Sequence, residues 1–149
     1  MSVVSLLDVN VLLALFDPDH IHHDIAHDWF AEHGAGGWAT CPLTENGFLR
    51  TVNAVRKADF VPLPDLIAHL RTFQSSGGHH RWNDDLTLLN ERIFDAHAIH
   101  GRRQLTDVYL LGLAVKRAGR LVTFDQRIPR AAVNGARQEH LVVLGPADH

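Results

Sequence analysis

Apolar positions along this chain fall into short unbroken runs, separated by longer stretches in which they recur every three or four residues. Val3 to Leu7 is a nearly continuous run that stops at Asp8, the pattern of a strand buried on both faces. Val9 to Phe16 stays apolar without alternation until Asp17-Pro18-Asp19 interrupts it, which predicts a short helix closed by a turn. From His20 to His33, Ile21, Ile25, Ala26, Trp29 and Phe30 recur at helical spacing and predict a second, amphipathic helix. After Gly34 to Gly37, Trp38-Ala39-Thr40-Cys41 reads as a strand. Pro42 suits the first turn of a helix that carries Glu45 and an apolar face of Phe48, Leu49, Val52 and Val55. Val61 to Phe73 predicts another helix, and Gly77-Gly78 a loop. A strand around His80 to Trp82 and a short helix from Leu86 to Phe94 are expected next. Thr106 is a favoured N-cap, and the helix behind it is apolar on most faces from Val108 to Ala118, so it should be buried; Gly119 closes it. Leu121 to Phe124 reads as a strand ending at Asp125, and Leu141 to Leu144 as a last one.

Strands alternating with helices predict an α/β layered fold with a central, mainly parallel sheet flanked by helices and joined by right-handed crossovers. The 149 residues suit a single domain spanning positions 1–149. One cysteine, Cys41, excludes an internal disulfide and a multi-cysteine zinc site, and is expected to be a small buried apolar residue. Without a basic leader, and with Asp8 arriving too early for a hydrophobic core or a membrane span, the N-terminus predicts a cytoplasmic protein with no membrane partner. A formal charge of −3, from 14 Lys and Arg against 17 Asp and Glu, shows no bulk basicity, so any contact with nucleic acid must be local. Twelve histidines make the charge sensitive near pH 6 to 7.

The predicted order of elements gives four acids a common place. Asp8 and Asp125 follow strands, while Glu45 and Asp107 stand in first turns of helices. In open α/β sheets these points gather at the carboxyl edge, where ligands bind at the topological switch. Helix starts and turns favour such acids without any further role. Four carboxylates in one cleft, however, repel one another unless cations neutralise them. All-oxygen donors suit Mg2+ or Mn2+, and a pair of such ions about 4 Å apart activates water and stabilises a leaving oxygen in phosphodiester cleavage.

Four blocks carry a resemblance to a known family. They are Leu6-Leu7-Asp8-Val9-Asn10-Val11-Leu12-Leu13-Ala14-Leu15; Pro42-Leu43-Thr44-Glu45 with Phe48-Leu49-Arg50; Leu105-Thr106-Asp107-Val108-Tyr109-Leu110-Leu111-Gly112-Leu113-Ala114; and Leu121-Val122-Thr123-Phe124-Asp125. In this order they resemble PIN-domain ribonucleases, most closely the VapC toxins of type II toxin–antitoxin systems. The resemblance implies a PIN-like three-layer fold and a Mg2+-dependent (or Mn2+-dependent) endoribonuclease that cuts structured RNA, such as transfer or ribosomal RNA loops. Asp8, Glu45, Asp107 and Asp125 would be both catalytic residues and metal ligands. It also implies a cognate VapB-like antitoxin and a homodimer. Some relatives carry another acid or Asn shortly after the fourth Asp, where this chain has Gln126, Arg127 and Ile128. One firmly held ion is therefore expected, with a second recruited by RNA phosphate.

Other residues have plainer readings beside functional ones. Asn10 either orients Asp8, or a water beside it, or caps the first helix. Thr106 and Thr123 neighbour acids, with capping and strand preference as their ordinary roles. Arg102 and Arg103 could hold a substrate phosphate at the rim of the cleft, or form a solvated pair. His20, His22, His23 and His27 invite a zinc or nickel site but read better as a solvated helix face. Trp29, Trp38 and Trp82 are core material before they are base-stacking platforms. Two other functions compete. An aspartyl-nucleophile Mg2+ phosphohydrolase needs a second Asp two residues after the first, where Asn10 stands, and a Lys near its last acids; only Lys57 and Lys116 are available. A non-catalytic acidic pocket would instead receive basic side chains of a partner.

Overall fold

The apolar runs do become strands. The structure, a computed structural model, describes residues 3–56 and 59–145. It contains β1 (Ser5–Leu7), β2 (Trp38–Thr40), β3 (His79–Arg81), β4 (Arg120–Thr123) and β5 (Leu141–Val143). They form one sheet in the order β3-β2-β1-β4-β5, and every neighbouring pair is parallel. The helices are α1 (Val9–Phe16), α2 (His23–His33), α3 (Pro42–Val55), α4 (Leu63–Gln74) and α5 (Leu105–Lys116).

Alternation along the strands builds the three layers. Leu6 faces Ala39 and Leu121 across the ladders, and all three pack into a core with the α5 residues Val108, Leu110, Leu111 and Ala114. One residue on, Leu7 and Val122 point to the opposite face, into a second core with Trp38 of β2 and with Val11, Phe48, Val52 and Leu66 from α1, α3 and α4. Burial on both sides explains why these strands read as continuous apolar runs. The chain places β2 and then β3 on one side of β1, and β4 and β5 on the other. The reversal lies between β1 and β4.

α5 is buried from Val108 to Ala114. Gly112 makes its packing possible: a Cβ there would lie 2.5 Å from Phe94 Cζ and 2.6 Å from Cε1. Phe94 is itself buried and has nowhere to retreat. Gly112→Ala is therefore expected to lower stability by about 1–3 kcal/mol despite alanine's better helix propensity, read from the urea midpoint.

Several expectations are corrected. α2 starts at His23 rather than His20, because Asp17 Oδ1 takes the Asp19 N–H and His20 Nδ1 takes that of His22, holding a turn there. Ile21 is left 87% exposed, off any apolar face. α4 starts at Leu63 because Val61 is tied on both sides to the Asn53 side chain. No helix forms over Leu86 to Phe94; that stretch is turns, with Thr87 and Asn90 side chains accepting from the backbone of Leu89 and Arg92. Thr106 is not an N-cap. A 3-10 turn, Arg102–Gln104, runs into α5, Gln104 holds the cap position, and Thr106 lies exposed in the first turn.

Candidate active site

Asp8 occupies the switch point itself. Its backbone N–H donates to Val122 O on β4, and its side chain caps α1 by accepting from Val9 N at 2.7 Å. The other carboxylate oxygen accepts from the Thr123 hydroxyl at 2.7 Å. That hydroxyl oxygen also accepts from Asn10 Nδ2 at 3.2 Å and from Asp125 N at 3.0 Å. Asn10 Oδ1 takes the Phe124 N–H. One threonine at the end of β4 thus fastens the end of β1, the first turn of α1 and the loop that carries Asp125.

Asp8 is only 4% exposed, and burial above all, with the Asp125 charge adding, pushes its carboxyl above the ordinary range against the pull of the Thr123 and Val9 hydrogen bonds. Asp107, in the first turn of α5, is pushed up to about 8. Burial contributes most, followed by the Asp8 charge and the Asp125 carboxylate within hydrogen-bonding reach. A helix N-terminus normally favours the carboxylate form, so repulsion and desolvation outweigh the dipole here. Asp125 Oδ1 accepts from Arg127 N at 2.8 Å. Among the described residues none of the three acids forms a salt bridge.

Glu45 points elsewhere. Its Oε2 accepts from the Thr40 hydroxyl at 2.9 Å and from Gln74 Nε2 at 2.7 Å, and Thr40 Oγ1 also lies 2.7 Å from His79 Nε2. The Asp125 charge raises Asp8, and the Asp8 and Asp125 charges raise Asp107. The structure thus brings Asp8, Asp107 and Asp125 together and leaves Glu45 tied down at the α3–α4 side of the same edge. Among the described residues no three carboxylate, imidazole or thiol groups already stand as a closed cage around one point. The donor chemistry nevertheless fits a hard divalent cation: three oxygen-only acids, mutually repelling, with no cationic side chain among the described residues paired to any of them.

The model of the PIN domain matches residues 5–134, a span that holds all four acids. Ribonuclease VapC44 of Mycobacterium tuberculosis is 42% identical over 144 residues, 94% of this chain and 99% of that one. Ribonuclease VapC39 of the same organism is 40% identical over 134 residues, 89% of this chain and 96% of the relative. The chain belongs to the VapC family of PIN domains. A crystal structure of VapBC2 from Rickettsia felis, bound to a DNA fragment from their promoter, superposes with a TM-score of 0.56 at 14% identity, covering 94% of this chain and 96% of that chain. The VapC-family fold is therefore seen in both sequence and shape.

Within this VapC-family chain the remaining candidates separate. Asn10 does not cap α1, since Asp8 does; it bridges to β4 instead. Thr123 is more than a strand residue, and sequence carried no signal for that beyond its place two residues before Asp125. Thr40 and Gln74, which hold Glu45, had no sequence signal either. Arg103 lines a cavity with Asp125; Arg102 does not. His23 Nδ1 binds Ala14 O at 2.7 Å, and His22 stacks on Phe124, so these two are packed rather than merely solvated; His27 is exposed. Trp38 and Trp82 are buried and Trp29 half-buried, while Cys41 is buried with its thiol pushed up to about 11. Lys116 pairs with Asp85, and Lys57 lies outside the described residues. No helix among the described residues is long and apolar enough to cross a membrane.

Proposed function

We propose that this VapC-family protein is the toxin of a type II toxin–antitoxin pair, an endoribonuclease dependent on Mg2+ or Mn2+ that cuts structured RNA loops. The observation that carries the reading is the trio of carboxylates at the switch point, paired to no cation among the described residues, with Asp107 pushed up to about 8 by burial first and by the neighbouring Asp8 and Asp125 second. The relatives' name, ribonuclease, supports the reaction class. The solved VapBC2 assembly supports a VapB-like antitoxin as partner. A homodimer and a cytoplasmic location complete the reading.

Asp8, Asp107 and Asp125 would hold the ion, with Glu45 joining if it leaves Thr40 and Gln74. Bound there, a divalent ion supplies a nucleophilic water at neutral pH and offsets charge on the leaving oxygen. The protein's own residues do the rest. Thr123 and Val9 N–H fix both oxygens of Asp8 before any ligand arrives. Asp107 keeps a proton at its carboxyl near neutrality and gives it up when positive charge enters. The aspartyl-nucleophile reading finds no second acid where Asn10 stands, since that side chain is spent on β4.

The test is wild type beside Asp8→Asn on total RNA, with Mg2+, with Mn2+ and with chelator. Wild-type cleavage is expected with either metal, and a loss of about 10³-fold or more is expected both on chelation and in the variant. Equal cutting by Asp8→Asn would remove the catalytic role of the acids, and equal cutting by wild type in excess chelator would remove the metal from the reaction.

A further inference from the structure

Beside the acids lies a cavity of about 520 Å³ lined by Arg103, Gln104, Phe124, Asp125, Gln126 and Arg127. Its size falls in the range of small-ligand pockets. Both arginines are anchored close to the acids: Arg103 sits in the 3-10 turn that runs into α5, four residues before Asp107, and Arg127 N donates to Asp125 Oδ1. Both are exposed, and among the described residues neither guanidinium forms a salt bridge. Phe124 forms part of the wall. Its ring is stacked on His22 with centroids 4.5 Å apart and planes 15° from parallel, so it is held rather than free to rotate away.

An acidic protein of net charge −3 that handles RNA needs a local positive grip, and this is where one adjoins a site acid. Guanidinium forks match phosphate oxygens in pairs. A fixed aromatic wall tolerates any base, because every base has a π-face. We propose that this cavity receives the nucleotide next to the scissile phosphate of a single-stranded RNA segment, Arg103 and Arg127 gripping the phosphate and Phe124 seating the base. It rests on the nuclease reading above and adds the direction in which RNA leaves the acids, toward the loop after β4.

The test measures binding of a labelled twelve-nucleotide unpaired RNA to Asp8→Asn protein over a series of salt concentrations. Adding Arg103→Gln and Arg127→Gln together is expected to weaken binding at least about tenfold and to reduce the slope of log affinity on log salt by about 0.7 to 1.4, one or two phosphates' worth. Phe124→Leu is expected to weaken binding several-fold at the same slope. Arg92→Gln with Arg137→Gln makes the same charge change elsewhere on the surface and is expected to keep the starting slope. In the cutting protein the Arg103 and Arg127 changes are expected to act mainly on KM, and lysine at both positions to restore binding in part. Unaltered affinity and slope in the double variant, or an equal loss in the charge-matched control, overturns the subsite. If wild type cuts no RNA with either metal yet binding still depends on these arginines, the nuclease reading falls and the RNA grip stands.

Discussion

Replacing Asp107 by asparagine is expected to destroy cleavage while making the metal-free protein harder to melt. Activity should fall by about 10³-fold, because under the proposed function a cation ligand worth several kcal/mol of charge stabilisation would be gone. The stability gain follows from linkage. In the folded chain Asp107 keeps its proton up to about 8, whereas an unfolded aspartate releases it near 4. Between those values the folded state binds more protons, so the stability that the protonated Asp107 contributes to the metal-free protein is fully present below about pH 4 and is lost as pH rises toward 8. Asp8, raised in the same direction, adds to that slope. Asparagine keeps the shape and an N–H for the Asp125 carboxylate but has no charge to suppress. Thermal melts in chelator should therefore show the variant gaining over wild type from pH 5 to pH 8, with about 3 °C for each kcal/mol in a chain of this size. Mg2+ should stabilise wild type more at pH 8 than at pH 5 and the variant little at either. A variant that melts lower than wild type at pH 8 in chelator would show that the acids are not in conflict.

Thr123→Val is the second large effect, and it comes from a residue that contacts no substrate in the proposed reaction. Valine fills the same volume, so the buried position stays packed, but three groups lose their partner at once: Asp8 Oδ2, Asn10 Nδ2 and Asp125 N–H. Unmet buried polar groups cost about 1–3 kcal/mol each, though not additively, which puts the loss at about 3 kcal/mol by urea unfolding. Cleavage should fall a further 10- to 100-fold below what the unfolded fraction explains, as removing the support of a metal ligand does. Excess Mg2+ should recover part of it. Thr123→Ser restores the hydroxyl and loses only a methyl, so it should regain most activity at a cost of about 1 kcal/mol. If serine is as inactive as valine, the hydroxyl does not position Asp8.

The parts of the fold legible in the sequence are those in which burial dominates. β1, α1, β4 and α5 are enclosed on most sides, and the apolar runs of β1 and β4 end at acids because the chain there emerges at the sheet edge. What was not legible is decided by single polar atoms. Ile21 has the right spacing for an apolar helix face, but Asp17 and His20 side chains satisfy the neighbouring backbone and the helix starts later. Thr87 and Asn90 do the same over the segment where a helix was expected. The site divides along the same line. Asp8, Asp107 and Asp125 could be placed on one edge from strand and helix order alone, but the turning of Glu45 toward Thr40 and Gln74 depends on side-chain geometry at the end of α4, which no local pattern encodes.

The pairing of β1 with β4 joins residues 115 positions apart, and the bond from Thr123 to Asp8 is one of those links. A growing chain that has emerged only through α4 has Asp8 and Glu45 but neither the strand that covers β1 nor the hydroxyl that holds Asp8. The three acids can come under one another's influence only once the chain has been made as far as Asp125. The arrangement of the acids thus depends on β4, and a chain that ends before Thr123 lacks both the hydroxyl that holds Asp8 and the Asp125 carboxylate.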